Sequence, residues 1–297
     1  MGEHPRPQWA HGLCRGPLPV AGGPVSKRVL ITGCSSGIGL DAARRMQSLG
    51  WQVVATCRRP EDIAARQAEG MECHPLELSD GDSVARLVEQ VLAGGPLDAL
   101  VNNAAFALPG AVEDMPRGAL RSIFETNLFG THDLTVRLIP HFRDRGGRIV
   151  NISSVLGLIG IRWRGPYVAT KFALEGLTDV LRLEMAGTPV TVILIEPGPI
   201  ASRIRVNAIP HFEAWVNWQG SARADEYRSS LLKRLYEPSG KKDRFELLPS
   251  AVSDRIVHAL TAARPRPRYY VTTPTWMSGT ARRLLPTRAL DWFARHG

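Results

Sequence analysis

The sequence predicts one α/β domain built on a parallel β-sheet with helices on both faces. Three observations carry that prediction. The strand-like runs are apolar on both sides, helical segments alternate with them, and a glycine-rich turn joins the first run to the first helix. A doubly wound sheet of this Rossmann type presents ligands at the carboxyl ends of its strands.

The strands come in order. RVLITG from Arg28 is a β-branched run, and WQVVATC, LDALVNNA, GRIVNISS and VTVILIEPG repeat the pattern further along. Between them LDAARRMQSLG reads as a helix ended by Gly50, and DSVARLVEQVLAG as one with Leu87, Val88, Val91 and Leu92 on a single face. Two longer helices are expected at about 118–142 and 166–186. RYYVTT reads as a last strand. Residues 203–248 mix aromatics with charges and read as a lid-like insertion over the site, its tryptophans serving either as substrate wall or as the lid's own core. The expected organisation is therefore a Pro/Gly-rich, disordered extension over 1–26, a domain over 27–275 and a basic C-terminal helix over 276–297 interrupted by Pro286.

Composition narrows the class. The 297 residues are 44% apolar, enough for one substantial core. Four scattered cysteines (Cys14, Cys34, Cys57, Cys73) form no CxxC pair, so neither a disulfide framework nor a zinc site is expected and a cytoplasmic setting is. No metal ligands are assigned. The first 25 residues lack the apolar stretch of a signal peptide. The net charge of +9 is concentrated at the end: from Arg264 onward there are seven arginines against Asp291 alone, so +6 of it sits there. The rest of the chain has an ordinary surface, which argues against a nucleic-acid partner. The tail reads either as a solvated arginine-rich helix or as a weak peripheral contact with anionic membrane.

Two motifs carry chemistry. In Thr32-Gly33-Cys34-Ser35-Ser36-Gly37-Ile38-Gly39, Gly33 can turn sharply, Gly37 admits a pyrophosphate to the backbone, and Gly39 lets helix and sheet pack closely. The helix that begins there aims free N–H groups and its positive end at phosphate. In Tyr167-Val168-Ala169-Thr170-Lys171, positions i and i+4 share a helix face, so phenol and ammonium stand side by side. A lysine there, with the positive end of a helix begun at Pro166, lowers a phenol that ordinarily titrates near 10.

Together these motifs make the chain resemble the short-chain dehydrogenases/reductases. TGxxxGIG is similar to that family's cofactor turn, Asn102-Asn103-Ala104-Ala105 to its NNAG, YxxxK to its catalytic pair, and Pro197-Gly198-Pro199-Ile200-Ala201-Ser202 to its PGxxxT. Ser154 ends a strand thirteen residues before Tyr167, at the family's spacing, and Asn127 stands mid-helix in ETNLFG. VLITGCSSGIGL, YVATKFALEGL and IEPGPI look most like the hydroxysteroid- and retinol-dehydrogenase branch, bacterial NADP-dependent aldehyde reductases included. Ala105 replaces a glycine, Ser202 a threonine, and Glu77 the aspartate that contacts adenine.

The resemblance implies roles. Tyr167 exchanges the proton with the substrate oxygen, Ser154 polarises that oxygen, Lys171 lowers the phenol pKa and binds the nicotinamide ribose, and Asn127 supports a water relay and distorts its helix. Cofactor contacts fall to Gly33, Ser35, Ser36, Gly37, Ile38, Gly39, Arg58, Glu77, Asn103 and Ala104, to Tyr167 and Lys171, and to Pro197, Gly198, Ile200 and Ser202. An NAD enzyme has a carboxylate at the end of the second strand for the ribose 2′-hydroxyl. Here Cys57 stands there, followed by Arg58, whose fork suits a 2′-phosphate, so NADP(H) is the expected cofactor. The expected reaction interconverts a hydrophobic aldehyde or ketone and its alcohol, in a homodimer or homotetramer built on the two long helices. The rival is a cofactor-binding sensor without turnover.

Overall fold

The computed structural model describes residues 26–237 and 243–296. The extension expected to be disordered lies, but for Ser26, outside them. So do residues 238–242 of the insertion.

Seven strands form one parallel sheet: β1 (Arg28–Ile31), β2 (Gln52–Cys57), β3 (Glu72–Pro75), β4 (Ala99–Asn102), β5 (Gly147–Ile152), β6 (Val190–Glu196) and β7 (Arg268–Tyr270). Their order is β3-β2-β1-β4-β5-β6-β7. The chain starts in the middle and winds outward both ways, so the loops after β1 and β4 diverge and open a crevice at their carboxyl ends. Alternation along the strands divides the core. Val29, Ile31, Val53, Ala55, Val101 and Ile193 face one layer, while Leu30, Val54, Leu100, Ile149 and Val192 face the other.

The first layer is made by α1 (Gly37–Ser48), α2 (Pro60–Ala68) and α11 (Ser250–Thr261). The second is made by α3 (Gly81–Ala93), α5 (Thr131–Arg145) and α6 (Gly165–Glu184), with α4 (Arg117–Phe124) leading into α5. Two strand arginines, Arg28 buried and Arg148 half-buried, hold helix ends. Arg28 donates to the Val91 and Gly95 carbonyls at the end of α3, and its Nη2 donates to both carboxylate oxygens of Glu72 on β3, two strands away. Arg148 donates to the Ala259 and Ala262 carbonyls at the end of α11. Free carbonyls at a helix C-terminus attract a cation, so these contacts fix where each helix stops.

Three features sharpen the expected element list. The helix expected over 118–142 is interrupted at Glu125–Gly130, where one π turn separates α4 from α5. Gly130 lies against the Leu78 backbone, and any Cβ there would overlap the Leu78 carbonyl. The tail is two helices, α12 (Thr273–Leu284) and α13 (Thr287–His296), broken at Pro286, so the boundary drawn at 275 falls inside α12. The insertion is helical throughout much of its described part, with α7 (Ile204–Asn207), α8 (Ile209–Trp215), α9 (Ala224–Glu226) and α10 (Leu232–Tyr236), a π turn at Tyr227–Leu231 preceding α10.

That insertion has a core of its own. Phe212, Val216, Tyr227, Leu231 and Leu235 are buried together. The Tyr227 hydroxyl donates to Asp114 at 2.7 Å and accepts from the Ala111 N–H at 2.8 Å, which ties the insertion to the loop before α4. Phe212 and Tyr227 are therefore spent on the lid, and Tyr236 lies exposed on its surface.

Candidate active site

The turn after β1 is built for close approach. Gly33 and Gly37 have φ values of 74° and 59°, a region side chains disfavour. A Cβ on Gly39 would overlap the Gly33 carbonyl and crowd the Asn103 side chain. Thr32 Oγ1 accepts from the Asn103 and Ala104 N–H groups, and Asn103 Nδ2 donates to the Thr32 carbonyl. The NNAA segment after β4 is thus bolted to the phosphate turn after β1. Ser35 is exposed, while Ser36, Gly37 and Ile38 are half-buried where α1 begins. Ser36 makes no side-chain cap, so the first N–H groups of α1 are left for a ligand. A dinucleotide pyrophosphate fits this cradle on the spacing alone: backbone donors and two left-handed glycines.

Around the turn stand the other expected cofactor positions. Arg58 is exposed immediately after β2, whose Thr56 carbonyl accepts from Cys34 N–H at 2.8 Å, so Arg58 flanks the turn. Among the described residues no carboxylate pairs with it. Glu77 accepts from both the N–H and hydroxyl of Ser79 and so closes its own turn. Pro197, Gly198 and Ile200 line the segment after β6, and a side chain at Gly198 would overlap the Thr272 hydroxyl. The exposed Ser202 is the neighbour nearest to a Cβ built on Gly37, at 3.5 Å, so this segment closes over the phosphate turn.

The four candidate catalytic residues converge across β5, the π turn and α6. Pro166 and Tyr167 lie in the first turn of α6. The phenol is buried, and burial pushes it up to about 12, against a hydrogen bond with Ser154 and the charge of Arg164, which both lower it. Lys171 is buried one turn on, with Nζ 5.5 Å from the Tyr167 ring centroid. Burial pushes it down to about 8, opposed by Glu175. Its ammonium donates to the Ile152 carbonyl at 2.8 Å. The ammonium of Lys171 is thus held on the strand one helical turn from the phenol.

Asn127 explains the π turn around it. Its Oδ1 accepts from Phe106 N–H at 3.0 Å, and its Nδ2 donates to the Phe106 carbonyl at 2.9 Å and to Thr170 Oγ1 at 3.3 Å. Widening the helix by one residue per turn lets this buried amide reach both the loop after β4 and α6. Asn127 thereby stands beside Lys171 through Thr170, without touching it.

Several residues of the site carry no sequence signal. Phe106, Leu108, Ile123 and Ala208 are buried in one cluster with Tyr167, and Leu156 and the lid residue Trp215 pack against it, so Trp215 serves both the wall beside the phenol and the lid's own core. His211 of α8 stacks on Phe106 with ring centroids 3.9 Å apart. Arg164 and Trp163 precede Tyr167 in a strained turn, with Trp163 at φ 66°. Among the described residues no group of three or more His, Cys, Asp or Glu could hold a metal.

A seven-stranded parallel sheet with a glycine turn at its switch point and a Ser154–Tyr167–Lys171 group at the same edge defines a dinucleotide-dependent oxidoreductase class. The chain belongs to the short-chain dehydrogenase family, whose model matches residues 27–211. It is 38% identical over 270 residues to the uncharacterized oxidoreductase YbbO of Escherichia coli (strain K12), covering 90% of this chain and 93% of that protein. Two solved structures are similar. One is a variant of an actinorhodin polyketide ketoreductase with NADPH, at 28% identity, a TM-score of 0.67, and 83% and 95% of the two chains. The other is a short-chain dehydrogenase/reductase from Burkholderia phymatum in complex with NAD, at 25% identity, a TM-score of 0.72, and 92% and 96%.

Proposed function

We propose that this oxidoreductase uses NADP(H) to interconvert an aldehyde or ketone and its alcohol, with Tyr167 as general acid and base. One observation carries the reading: a buried phenol whose pKa neighbouring Ser154 lowers, with Lys171 on the next turn of the same helix. Bound cofactor supplies or accepts the hydride. Tyr167 gives its proton to the carbonyl oxygen during reduction and removes one from the alcohol during oxidation. Ser154 hydrogen-bonds the same oxygen, Lys171 binds the nicotinamide ribose, and Asn127 holds the π turn that shapes the wall. Arg58, with Cys57 in place of an acid, supports NADP(H) over NAD(H). The apolar wall around Tyr167 supports a substrate whose carbonyl sits among hydrocarbon groups.

NADPH consumption against a panel of aldehydes and ketones, with NADH in parallel, tests this. Tyr167→Phe should lower turnover by roughly 10²–10⁴-fold while NADPH binding persists. Tight NADPH binding with no turnover of any carbonyl or alcohol would favour the sensor instead, a reading that the presence of all four candidate residues argues against.

The same proposal takes a second copy of this chain as partner. Leu120, Phe129, Leu177, Val180 and Leu183 are exposed along α4 to α6, and sedimentation should give at least a dimer. It also keeps the weak membrane contact, because Trp276, Met277, Leu284 and Leu285 are exposed among arginines of the tail. Co-sedimentation with anionic vesicles, lost in a chain ending at Thr273, checks it. A cytoplasmic setting is part of the proposal, supported by the free thiols of Cys34, Cys57 and Cys73; no helix among the described residues is long and apolar enough to cross a membrane.

A further inference from the structure

Arg164 is a cation in a place that disfavours cations. It caps α6 three residues before Tyr167, half-buried, and its guanidinium makes no hydrogen bond or ion pair among the described residues. A 20-residue helix turns its positive end toward it. Burial, then the charges of Arg234 and Arg205, push it down to about 10. The carboxylate in the neighbourhood, Asp243, is already shared, accepting from Arg205 at 2.6 Å and from Arg234 at 3.1 Å. Cations taken out of water are paired as a rule, and this one is not.

The backbone goes to some trouble to hold it there. Trp163 adopts φ 66°, an outlier for a bulky residue, and such strain collects at ligand sites. Two contacts lock it. The Trp163 carbonyl accepts from the Gly110 N–H at 3.0 Å, and its ring packs on Tyr227 with centroids 4.7 Å apart. Tyr227 is in turn held by Asp114 and Ala111, so the lid's central residue braces the turn that aims Arg164.

We propose that Arg164 seats a carboxylate of the substrate, so that the compound reduced or oxidised here is a carbonyl acid or hydroxy acid with an apolar body. The helix end and the neighbouring arginines that penalise a bare guanidinium favour an anion laid against it. One unclaimed planar fork matches one carboxylate through two parallel N–H bonds. The anion belongs to the substrate because Arg164 caps the same first turn of α6 that carries Tyr167, three residues on and so on the same face, whereas the cofactor phosphates have their own seat at the start of α1. The inference rests on the reductase reading for its chemistry, but its binding test does not.

The test is calorimetric titration of the protein–NADPH complex with octanoate and with octanamide, which share a body and differ in charge. Octanoate should bind at least tenfold more tightly, a comparison that needs no variant. Arg164→Met should erase the difference and Arg164→Lys should restore part of it. Equal binding of acid and amide by the wild-type protein overturns the proposal. So does an acid-to-amide ratio unchanged in Arg164→Met, or a loss in that variant of NADPH affinity alone. In turnover, an aldehyde bearing a terminal carboxylate should exceed its methyl ester in kcat/KM by a similar ratio. Acid-selective binding with no turnover of either compound would sink the reductase reading and leave the carboxylate seat standing.

Discussion

Lys171 lies 5.5 Å from the centre of the Tyr167 ring, yet its hydrogen bond goes to the Ile152 carbonyl and not to the phenol. The phenol is left protonated at neutral pH, since burial has pushed it up to about 12. Reduction needs the protonated form and oxidation the phenolate. Carbonyl reduction should therefore stay flat from about pH 6 to about pH 9 as far as Tyr167 is concerned, while alcohol oxidation climbs toward about tenfold per pH unit. Profiles of kcat/KM in both directions check this, and a reductive limb falling near neutrality would contradict it.

Arg58 should decide the cofactor. It is exposed beside the phosphate turn, without a carboxylate partner among the described residues, so removing it disturbs little else. Hydrogen bonds to charged groups are worth about 1.5–3 kcal/mol, which corresponds to roughly 10–100-fold. Arg58→Ala should raise KM for NADPH by that factor and leave KM for NADH unchanged. Equal effects on both cofactors would take the arginine away from the 2′-phosphate.

Glu196 gives a stability signature. It is fully buried at the end of β6, and Arg268 reaches it while also bridging Asp179 and Glu175. One oxygen of each glutamate lacks a partner. Burial, then the nearness of Glu175, hold Glu196 above the usual carboxylate range. A raised folded-state value means the native protein holds this proton more tightly than the unfolded chain does. Its stabilising contribution is whole below the ordinary carboxylate range and is lost as pH rises through the raised value. Glu196→Gln should flatten the decline of Tm as pH rises from the ordinary carboxylate value of 4.5 to about 8, measured against wild type in the same buffers. Parallel curves would mean that Arg268 keeps the carboxylate ionised.

Gly39→Ala tests the phosphate turn as a packing device. The added methyl meets the Gly33 carbonyl, which is backbone and cannot swing aside. Forced overpacking costs about 1–3 kcal/mol, and here it should also displace the first turn of α1. Thermal unfolding should show the loss, and NADPH affinity should fall with it. A variant of unchanged Tm and affinity would show that α1 can slide.

Much of this was readable in the residues because the informative signals are local. A β-branched run entering a glycine turn, and a tyrosine one helical turn from a lysine, each fix their geometry within a few residues. Where structure depends on distant partners the reading thinned out. Strand β3 is four residues, Glu72–Pro75, too short and polar to show a period, and it is defined by its pairing with β2. Leu174 and Leu177 look alike in sequence, yet the first is buried and the second is 44% exposed, as α6 is covered on one side only. Arg164 is the clearest case. Nothing in IRWRGPY says that Trp163 takes a left-handed turn, since the partners that hold it there, Gly110 and Tyr227, are more than 50 residues away on either side.

Arg282 of α12 donates to the Leu158 carbonyl at 2.7 Å and lies over the Phe172 ring, joining points more than a hundred residues apart. Leu158 follows directly on the short helical turn that Ser154 caps, and Phe172 adjoins Lys171. The end of the chain is therefore a clasp on the catalytic frame and no loose appendage. A shortened protein would keep its sheet and its glycine turn while losing the brace behind the serine and the lysine.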